Sequence, residues 1–390
     1  MSTRRRFLAQ TFAAASAATA APGPAIRSIE VFPLAYPVKG HFRFFTKPER
    51  VAVFVKVICE DGTVGWGQSV PIPTWSYETE ESVVSTIRFY LAPALVGHDA
   101  TDIAGAHATM NRVIASSYST GMPIAKAGVD LALHDIAGKL AGKSVAALWG
   151  RKPLDRITLS WTVNPQSIEE TEQLVEDGKR RGYRHFNVKV APDPKFDLQM
   201  TRTVRRLAPD CFLWADANGG YDAATALDVA PKLADAGVNV LEQPVPPNRL
   251  SALRELRKQG ALPIVLDEGV VSSVDLEEFL KLELLDGVAM KPARTAGLFD
   301  ARKQVEILNR EKLMFLGSGL TDPDVSLASS LLLYGAYHLK YPAALNGLQF
   351  LGGSYLKKPF QLENGTLRVP TGPGLGVEVI EEEVRRATRA

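Results

Sequence analysis

The sequence predicts an α/β protein: a closed β/α barrel of the TIM type preceded by a smaller α+β domain. Three observations carry this. From about residue 157, short and continuously apolar segments alternate with helix-length amphipathic ones, as parallel strands covered by helices do. Three successive apolar segments end in an acid, Asp216 in FLWADANGG, Glu242 in VNVLEQP and Asp267 in PIVLDEG, at spacings of 26 and 25 residues. That is one strand, one helix and two loops per acid. Lys189 in HFNVKVA and Lys291 in GVAMKPA continue the period one step on either side, at 27 and 24 residues. Strand-end residues of such a barrel converge on one mouth.

Taken in order, residues 1–25 read as a twin-arginine-type export signal. Arg4, Arg5 and Arg6 precede Phe7, Leu8, an alanine-rich stretch and a small-x-small site at Ala18-Thr19-Ala20. A basic amphipathic tail is the blander reading. The apolar run is too short and weak to span a membrane, so a periplasmic or otherwise exported protein is expected. Residues 26–150 form the α+β domain. AIRSIEVFPLAYPV and VAVFVKVICEDG read as strands, and Asp61-Gly62 turns into TVGWGQ. Residues 36–49 and 71–78 have no clean period and read as loops. Residues 80–150 have helical periodicity, with Ile124, Val129, Leu131, Ala132 and Ile136 marking an amphipathic helix.

Residues 151–350 form the barrel. ITLSWTV is the expected first strand, YRHFNVKV the second, and CFLWADAN, VNVLEQP, LPIVLDEG, DGVAMKP and LMFLGSG follow, each after a helix. ALNGLQFL is the expected last. An open doubly wound sheet is the alternative, but no Gly-x-Gly-x-x-Gly follows an early strand. Residues 351–390 are Gly/Pro-rich, end in GVEVIEEEVRRA, and are expected to return to the first domain.

Composition narrows the function. The chain has 390 residues, 46% hydrophobic and 23% charged, enough to bury a large core. A net charge of +2 and no basic stripe argue against nucleic acid. Residues 1–25 carry three of the 45 basic side chains and none of the 43 acids, so the remainder is close to neutral. Cys59 and Cys211 make neither a disulfide framework nor a zinc cluster.

Three carboxylates without His or Cys form a hard oxygen set, suited to Mg²⁺, with Mn²⁺ the other candidate. Singly, each acid reads as a helix cap; the recurrence makes them a set. A phosphate or sugar site using some of these acids without metal is the alternative. A strand-end lysine is ordinarily a solvated head on a buried stem. Here both lysines point at the mouth that holds the acids. An amine beside a dication has its charged form disfavoured and becomes a usable base. Two such amines on opposite sides of a substrate suit removal of a proton next to a carboxylate, with the resulting enediolate stabilised by the cation.

With these residues in place, the chain resembles the enolase superfamily, and within it the mandelate racemase/muconate lactonizing enzyme family and its two-lysine, muconate-lactonizing subgroup. The resemblance runs from residue 26 to about 380. It rests on EDGTVGWGQ, AKAGVDLALHDIAGKLAGKSVAALWG, ADANGGY, LEQPVPP, LDEG and PGLGVEV. It implies a modified TIM barrel, (β/α)7β-like, with an N-terminal α+β capping domain. It also implies metal ligands at Asp216, Glu242 and Asp267, with Asn218 supporting them. Glu268 is expected to hydrogen-bond the base lysine or a ligand. Lys189 and Lys291 match the opposed bases. The usual Lys-x-Lys of the second strand is Asn187-Val188-Lys189 here, so a helper charge is lost and the two faces are expected to carry unequal bases. PARTAGL departs from a double-glycine sequel. Asp322 in GSGLTDPDVS is a candidate for the carboxylate usual after the seventh strand, with Asp324 the other. Asn346 stands where dipeptide-epimerising members place Asp-x-Asp, which argues against a dipeptide. The loops 36–49 and 71–78 resemble those that close over the barrel, bringing Tyr36, His41, Arg43, Phe45, Trp75 and Tyr77 as candidate substrate contacts. A homo-oligomer, dimer or octamer, is implied.

The expected function is Mg²⁺-dependent abstraction of the α-proton of a small-molecule carboxylate, leading to racemisation, epimerisation or cycloisomerisation. A dehydratase of a β-hydroxy carboxylate is the alternative. A non-catalytic exported carboxylate-binding protein is the alternative of another class.

Overall fold

The structure, a computed structural model, describes residues 22–45 and 47–389. The expected export signal lies outside the described residues except for its last four positions. The chain begins with an antiparallel sheet of β1 (Ile26–Pro37), β2 (Glu49–Cys59) and β3 (Val64–Ser69), in that order. Gly62 makes the turn at φ 88°, and Asp61 Oδ1 accepts from Thr63 N at 2.8 Å. Helices fill the rest of the cap, the longest being Pro123–Leu140.

That helix differs from its expected amphipathic character. It is buried along nearly its whole length, because the sheet covers one side and the barrel another. Its contact with β3 is backbone to backbone: a Cβ on Gly67 would lie 1.8 Å from Gly128 O. The charged residues it buries are paired. Lys126 Nζ donates to Asn111 Oδ1 at 2.9 Å, and Asp135 accepts from Trp66 N and Leu375 N, each at 3.0 Å.

The expected first barrel strand divides in two. β4 (Arg156–Thr158) stands apart, and β5 (Ser160–Val163) opens the barrel. β6 (His185–Lys189), β7 (Leu213–Asp216), β8 (Val240–Glu242), β9 (Ile264–Leu266), β10 (Gly287–Met290) and β11 (Met314–Gly317) follow as one parallel sheet in sequential order. A helix covers each crossover. β12 (Thr366–Arg368) pairs antiparallel with β4.

The expected eighth strand is a correction. Only Ala343 and Ala344 bridge, to Leu159 and Ser318, and that closes the seven-stranded sheet into a (β/α)7β-like barrel. After them the chain turns into a short helix, Gly347–Phe350. The turn presses Gly347 against the neighbouring loop, where a Cβ would sit 2.2 Å from Asp322 O.

Inside the barrel, Trp214, Val240, Val265, Ala289, Leu316 and Ala344 pack as a separate apolar layer. Thr162 and Asn187 complete it, in register with each other and with Trp214. Two residues further along each strand the side chains face inward again. Those positions are Asn164, Lys189, Asp216, Glu242, Asp267, Lys291, Ser318 and Asn346. The apolar layer is thus the floor on which the polar ring stands.

The last segment lies against the first sheet. Leu351 bridges Val38, Lys56 Nζ donates to Glu381 Oε1 at 2.6 Å, and Arg385 Nη2 to Glu30 Oε2 at 2.8 Å. Cys59 and Cys211 are separate, free and buried.

Candidate metal centre and its lid

The strand register sets the three acids side by side: Asp216 opposite Glu242, and Glu242 opposite Val265, two residues before Asp267. All three are buried, and one ligand oxygen from each lies within 4.8 Å of the others. Lys189 donates to Asp216 Oδ2 at one end of the arc, and Lys291 to Asp267 Oδ2 at the other. Asn218 holds Asp216, through its backbone N to Oδ1 at 2.9 Å and its Nδ2 to Oδ2 at 3.1 Å. Gln243 Oε1 accepts from Asp267 N and Gly269 N, each at 3.1 Å, fixing the loop after β9.

The electrostatics differ along the arc. Burial works to raise Asp216, but Lys189 and Lys291 outweigh it and hold the carboxyl below its ordinary value. Glu242, in the middle, is pushed up to about 8 by burial and by the charge of Asp216, and its buried Oε1 has no hydrogen-bond partner among the described residues. The centre of the arc is therefore the point most short of positive charge. A hard oxygen donor set with an unpaired buried oxygen fits a divalent cation held by Asp216, Glu242 and Asp267.

Glu268 departs from its expected role, since it makes no hydrogen bond to either lysine or to a ligand acid. It retains some exposed surface, but its Oε2 is enclosed without a partner, and burial and Asp216 push the carboxyl up to about 7. It lines a cavity of about 740 Å³ together with Trp75, Tyr77, Asn218 and Arg294. Asn187 belongs to the floor layer beneath Lys189. It is 1% exposed, and neither end of its amide has a partner among the described residues.

Two lid segments roof the ring. Trp75 lies over Lys291, with Nζ 4.7 Å from the ring centroid, and Phe42 over Lys189 at 6.0 Å. Phe42 also stacks on Phe350 at 4.6 Å. Beneath this roof a void of about 30 Å³ is bounded by both lysines. That is room for a water-sized group, and Phe44, Trp75 and Asn218 border both this void and the cavity of about 740 Å³. Arg43 ties the first lid segment down: its Nη2 and Nη1 donate to Val190 O at 3.0 and 3.1 Å, and its Nε to Asn164 Oδ1 at 3.3 Å. Phe45 packs edge-on to Phe42, 5.3 Å away, and faces a different cavity, beside Arg50. His41 is exposed. Tyr77 is 67% exposed at the edge of the larger cavity.

Two expected site residues lie elsewhere. Tyr36 belongs to β1, not to a loop; it is buried, and its hydroxyl donates to Asp324 Oδ2 at 2.6 Å and accepts from Gln68 Nε2 at 2.9 Å. Asp322 is spent inside its own segment, where Oδ1 accepts from Ser326 Oγ at 3.0 Å and Leu320 N at 3.2 Å, and Oδ2 from Ser330 Oγ at 3.3 Å. Asp324 also accepts from Tyr355 N at 2.8 Å, so it joins cap, barrel and C-terminal segment.

Sequence reasoning missed Arg294. It is 2% exposed and its Nη1 pairs with Asp267 Oδ1. The missed signal was a charged residue three positions after Lys291, in a stretch that forms one 3-10 turn, Pro292–Arg294. Also missed was the segment around Tyr118, which borders the larger cavity.

The sequence matches two family patterns: "Mandelate racemase / muconate lactonizing enzyme, N-terminal domain" over residues 27–150, and "Enolase C-terminal domain-like" over residues 169–384. A chloromuconate cycloisomerase from Pseudomonas sp. (strain P51) is 31% identical over 364 residues, 92% of this chain and 96% of that protein. The muconate cycloisomerase 1-1 of Acinetobacter lwoffii is 30% identical over 346 residues, 86% of this chain and 89% of that one. Among solved structures, the 2-chloromuconate cycloisomerase of Rhodococcus opacus superposes with a TM-score of 0.88 at 28% identity, covering 94% of this chain and 100% of its own.

Proposed function

This chain belongs to the mandelate racemase/muconate lactonizing enzyme family of the enolase superfamily, and from that premise we propose that it is a Mg²⁺-dependent isomerase of a small carboxylate that uses Lys189 and Lys291 as bases on opposite faces. The chemistry is metal-dependent removal of an α-proton through an enediolate. The observation that carries the reading is the placement of the two lysines, one at each end of the arc of acids and each under a lid aromatic.

A cation bound there would supply positive charge to the substrate carboxylate and so stabilise the enediolate. The protein's own residues do the rest. Asp216, Glu242 and Asp267 would hold that cation on one side of the substrate carboxylate. A lysine amine on one face accepts the proton, and the lysine on the other face returns one, or stays charged and stabilises the enediolate. Phe42 and Trp75 exclude water and lower the local dielectric around these charges. Two-base racemisation uses both lysines directly. Ring closure needs one, and the cycloisomerase names of the relatives support that outcome. A dehydratase would need an acid near a β-hydroxyl; Asp322 is spent on Ser326 and Ser330, which leaves Lys291 for that role.

Incubating the Mg²⁺-loaded chain with a panel of carboxylates in D₂O, and following exchange, optical rotation and products, separates the outcomes. The proposal expects α-deuteration with inversion or ring closure. Loss of water without exchange-linked isomerisation would replace it with the dehydratase. The reading extends to location, supported by Arg4–Arg6 and the Ala18-Thr19-Ala20 site. A folded reporter fused to residues 1–25 should reach the periplasm, and one that stays in the cytoplasm would rule the signal out.

A further inference from the structure

The two most exposed large hydrophobic side chains among the described residues stand at one cavity. Tyr118 is 75% exposed and Tyr77 is 67% exposed, and both line the space of about 740 Å³ between cap and barrel. A single exposed aromatic needs no explanation, but two at one concave site mark a surface that takes a ligand. The same cavity shares Phe44, Trp75 and Asn218 with the water-sized void bounded by Lys189 and Lys291. The cavity has room for an aromatic ring on a short chain; the void does not.

Both domains build its walls. From the barrel, the loops after β7, β8 and β9 supply Asn218, Pro246, Pro247 and Val271. From the cap comes a strap, residues 114–121, which links the helix Ile103–Val113 to the long helix Pro123–Leu140. Ser119 ties the strap to the barrel, its Oγ donating to Asp275 Oδ2 at 2.6 Å, and this sets Tyr118 beside the cavity. Among the described residues the charged lining side chains are Glu268, Arg294 and Asp275. Arg294 pairs with Asp267, and Glu268 follows Asp267 in the chain, so both stand next to the acids of the ring. Asp275 is engaged by Ser119 and by Val271 N, the latter at 3.1 Å. The strap side thus offers aromatic, prolyl and hydroxyl surface with no free charge.

We infer that this cavity holds the tail of the substrate, and that the tail is a bulky uncharged apolar group, such as an aryl-ended chain, gripped between Tyr77 and Tyr118. The strap is then a specificity element in addition to the two lid segments. The carboxylate and α-carbon lie at the ring, and the tail passes Trp75, whose indole covers Lys291. An apolar tail gains from every methylene it removes from water there; a charged one meets no opposite charge on the strap side. The inference rests on the isomerase reading above and narrows its substrate class.

The test uses the full metal-loaded chain and carboxylates that differ only in the tail: methyl, butyl, phenylbutyl and carboxybutyl. The readout is kcat/KM for α-proton exchange by NMR in D₂O. Each added methylene should raise it about three- to fourfold until the pocket fills, and phenylbutyl should exceed carboxybutyl by roughly tenfold or more. Tyr118→Ser should cut the phenylbutyl-to-methyl ratio by roughly tenfold, through KM more than kcat. Ser119→Ala, which frees the strap, should cut the ratio in the same direction. Phe89→Ser, which removes an aromatic 65% exposed and outside the cavity lining, should leave the ratio unchanged. A flat series, a preference for carboxybutyl, or an intact ratio in Tyr118→Ser overturns the tail pocket and leaves the isomerase reading standing. So does a Tyr118→Ser chain that changes its oligomeric state with the ratio intact, which would assign the tyrosines to an interface between copies. No exchange with any member overturns both.

Discussion

At the scale of single residues, Glu242 is the acid that most needs a cation, because the two lysines are taken by its neighbours. Replacing it with Gln keeps its shape and removes its charge. Mn²⁺ affinity measured by calorimetry should fall by about 100-fold or more, and unchanged affinity would remove Glu242 from the metal set. Arg294 pairs with Asp267 and has no other hydrogen bond among the described residues. Arg294→Met should leave the buried Asp267 more dependent on metal, seen as a larger Tm gain on adding Mn²⁺ than the wild type has. An equal gain would make the pair purely structural. The acids and lysines were legible in the sequence because a strand end is a fixed point in a repeating unit. Tyr36 and Asp322 were misplaced because a polar residue at a loop edge looks the same whether it faces the site or a partner behind it. Only the hydroxyl of Tyr36 on Asp324, 288 positions away, decides that case.

At the scale of elements, the turn after β10 explains the departure from a glycine pair. Ala296 sits at φ 55° and Gly297 at φ 100°. The left-handed region costs a residue with a Cβ about 1–2 kcal/mol, so Ala296→Gly should be neutral or stabilising by up to about 1 kcal/mol after the extra chain entropy. Gly297→Ala is different. Its Cβ would lie 2.1 Å from Asp130 Oδ2, and a cost of about 2–3 kcal/mol is expected. Paired denaturant titrations check both signs. Glu78 makes a second case, accepting from Ile124 N at 2.7 Å and Ala125 N at 2.9 Å at the start of the long cap helix. Glu78→Gln turns one acceptor into a donor facing an N–H, and should cost about 1–3 kcal/mol. The strands of the barrel were legible from apolar runs between turn signals. ALNGLQFL carries the same apolar run, but the close approach of Gly347 to Asp322 bends it into a helix, and a long-range contact leaves no local mark.

At the scale of the whole molecule, Asp130 joins the two halves. It sits on the long cap helix, meets His107 Nε2 at 2.7 Å and His134 Nδ1 at 3.2 Å, and accepts from the backbone N of Leu298 at the start of the barrel helix Leu298–Arg310. Burial opposes the ionisation of Asp130, but His134 and His107 outweigh it and hold the carboxyl well below its ordinary value. His134 is raised, since Asp130 overcomes the effect of burial. The His134 contribution to stability is complete below its ordinary value of 6.5 and is lost as pH rises through the raised folded value. The Asp130 contribution is complete above its ordinary 3.8 and fades only as pH falls through the depressed folded value. The joint is therefore strongest in mild acid, and Tm should fall as pH rises past neutrality. Asp130→Asn should flatten that fall while costing about 3 kcal/mol or more; an unchanged pH slope would take the joint out of the account. The central claim concerns the other end of the barrel, where two lysines face one α-carbon. Its most direct measurement is the rate of α-proton exchange in D₂O by the Mg²⁺-loaded wild type and by Lys189→Ala and Lys291→Ala. The account predicts that the wild type exchanges and that each variant loses roughly 100-fold or more from the face its lysine serves. Exchange at the wild-type rate in both variants would contradict it.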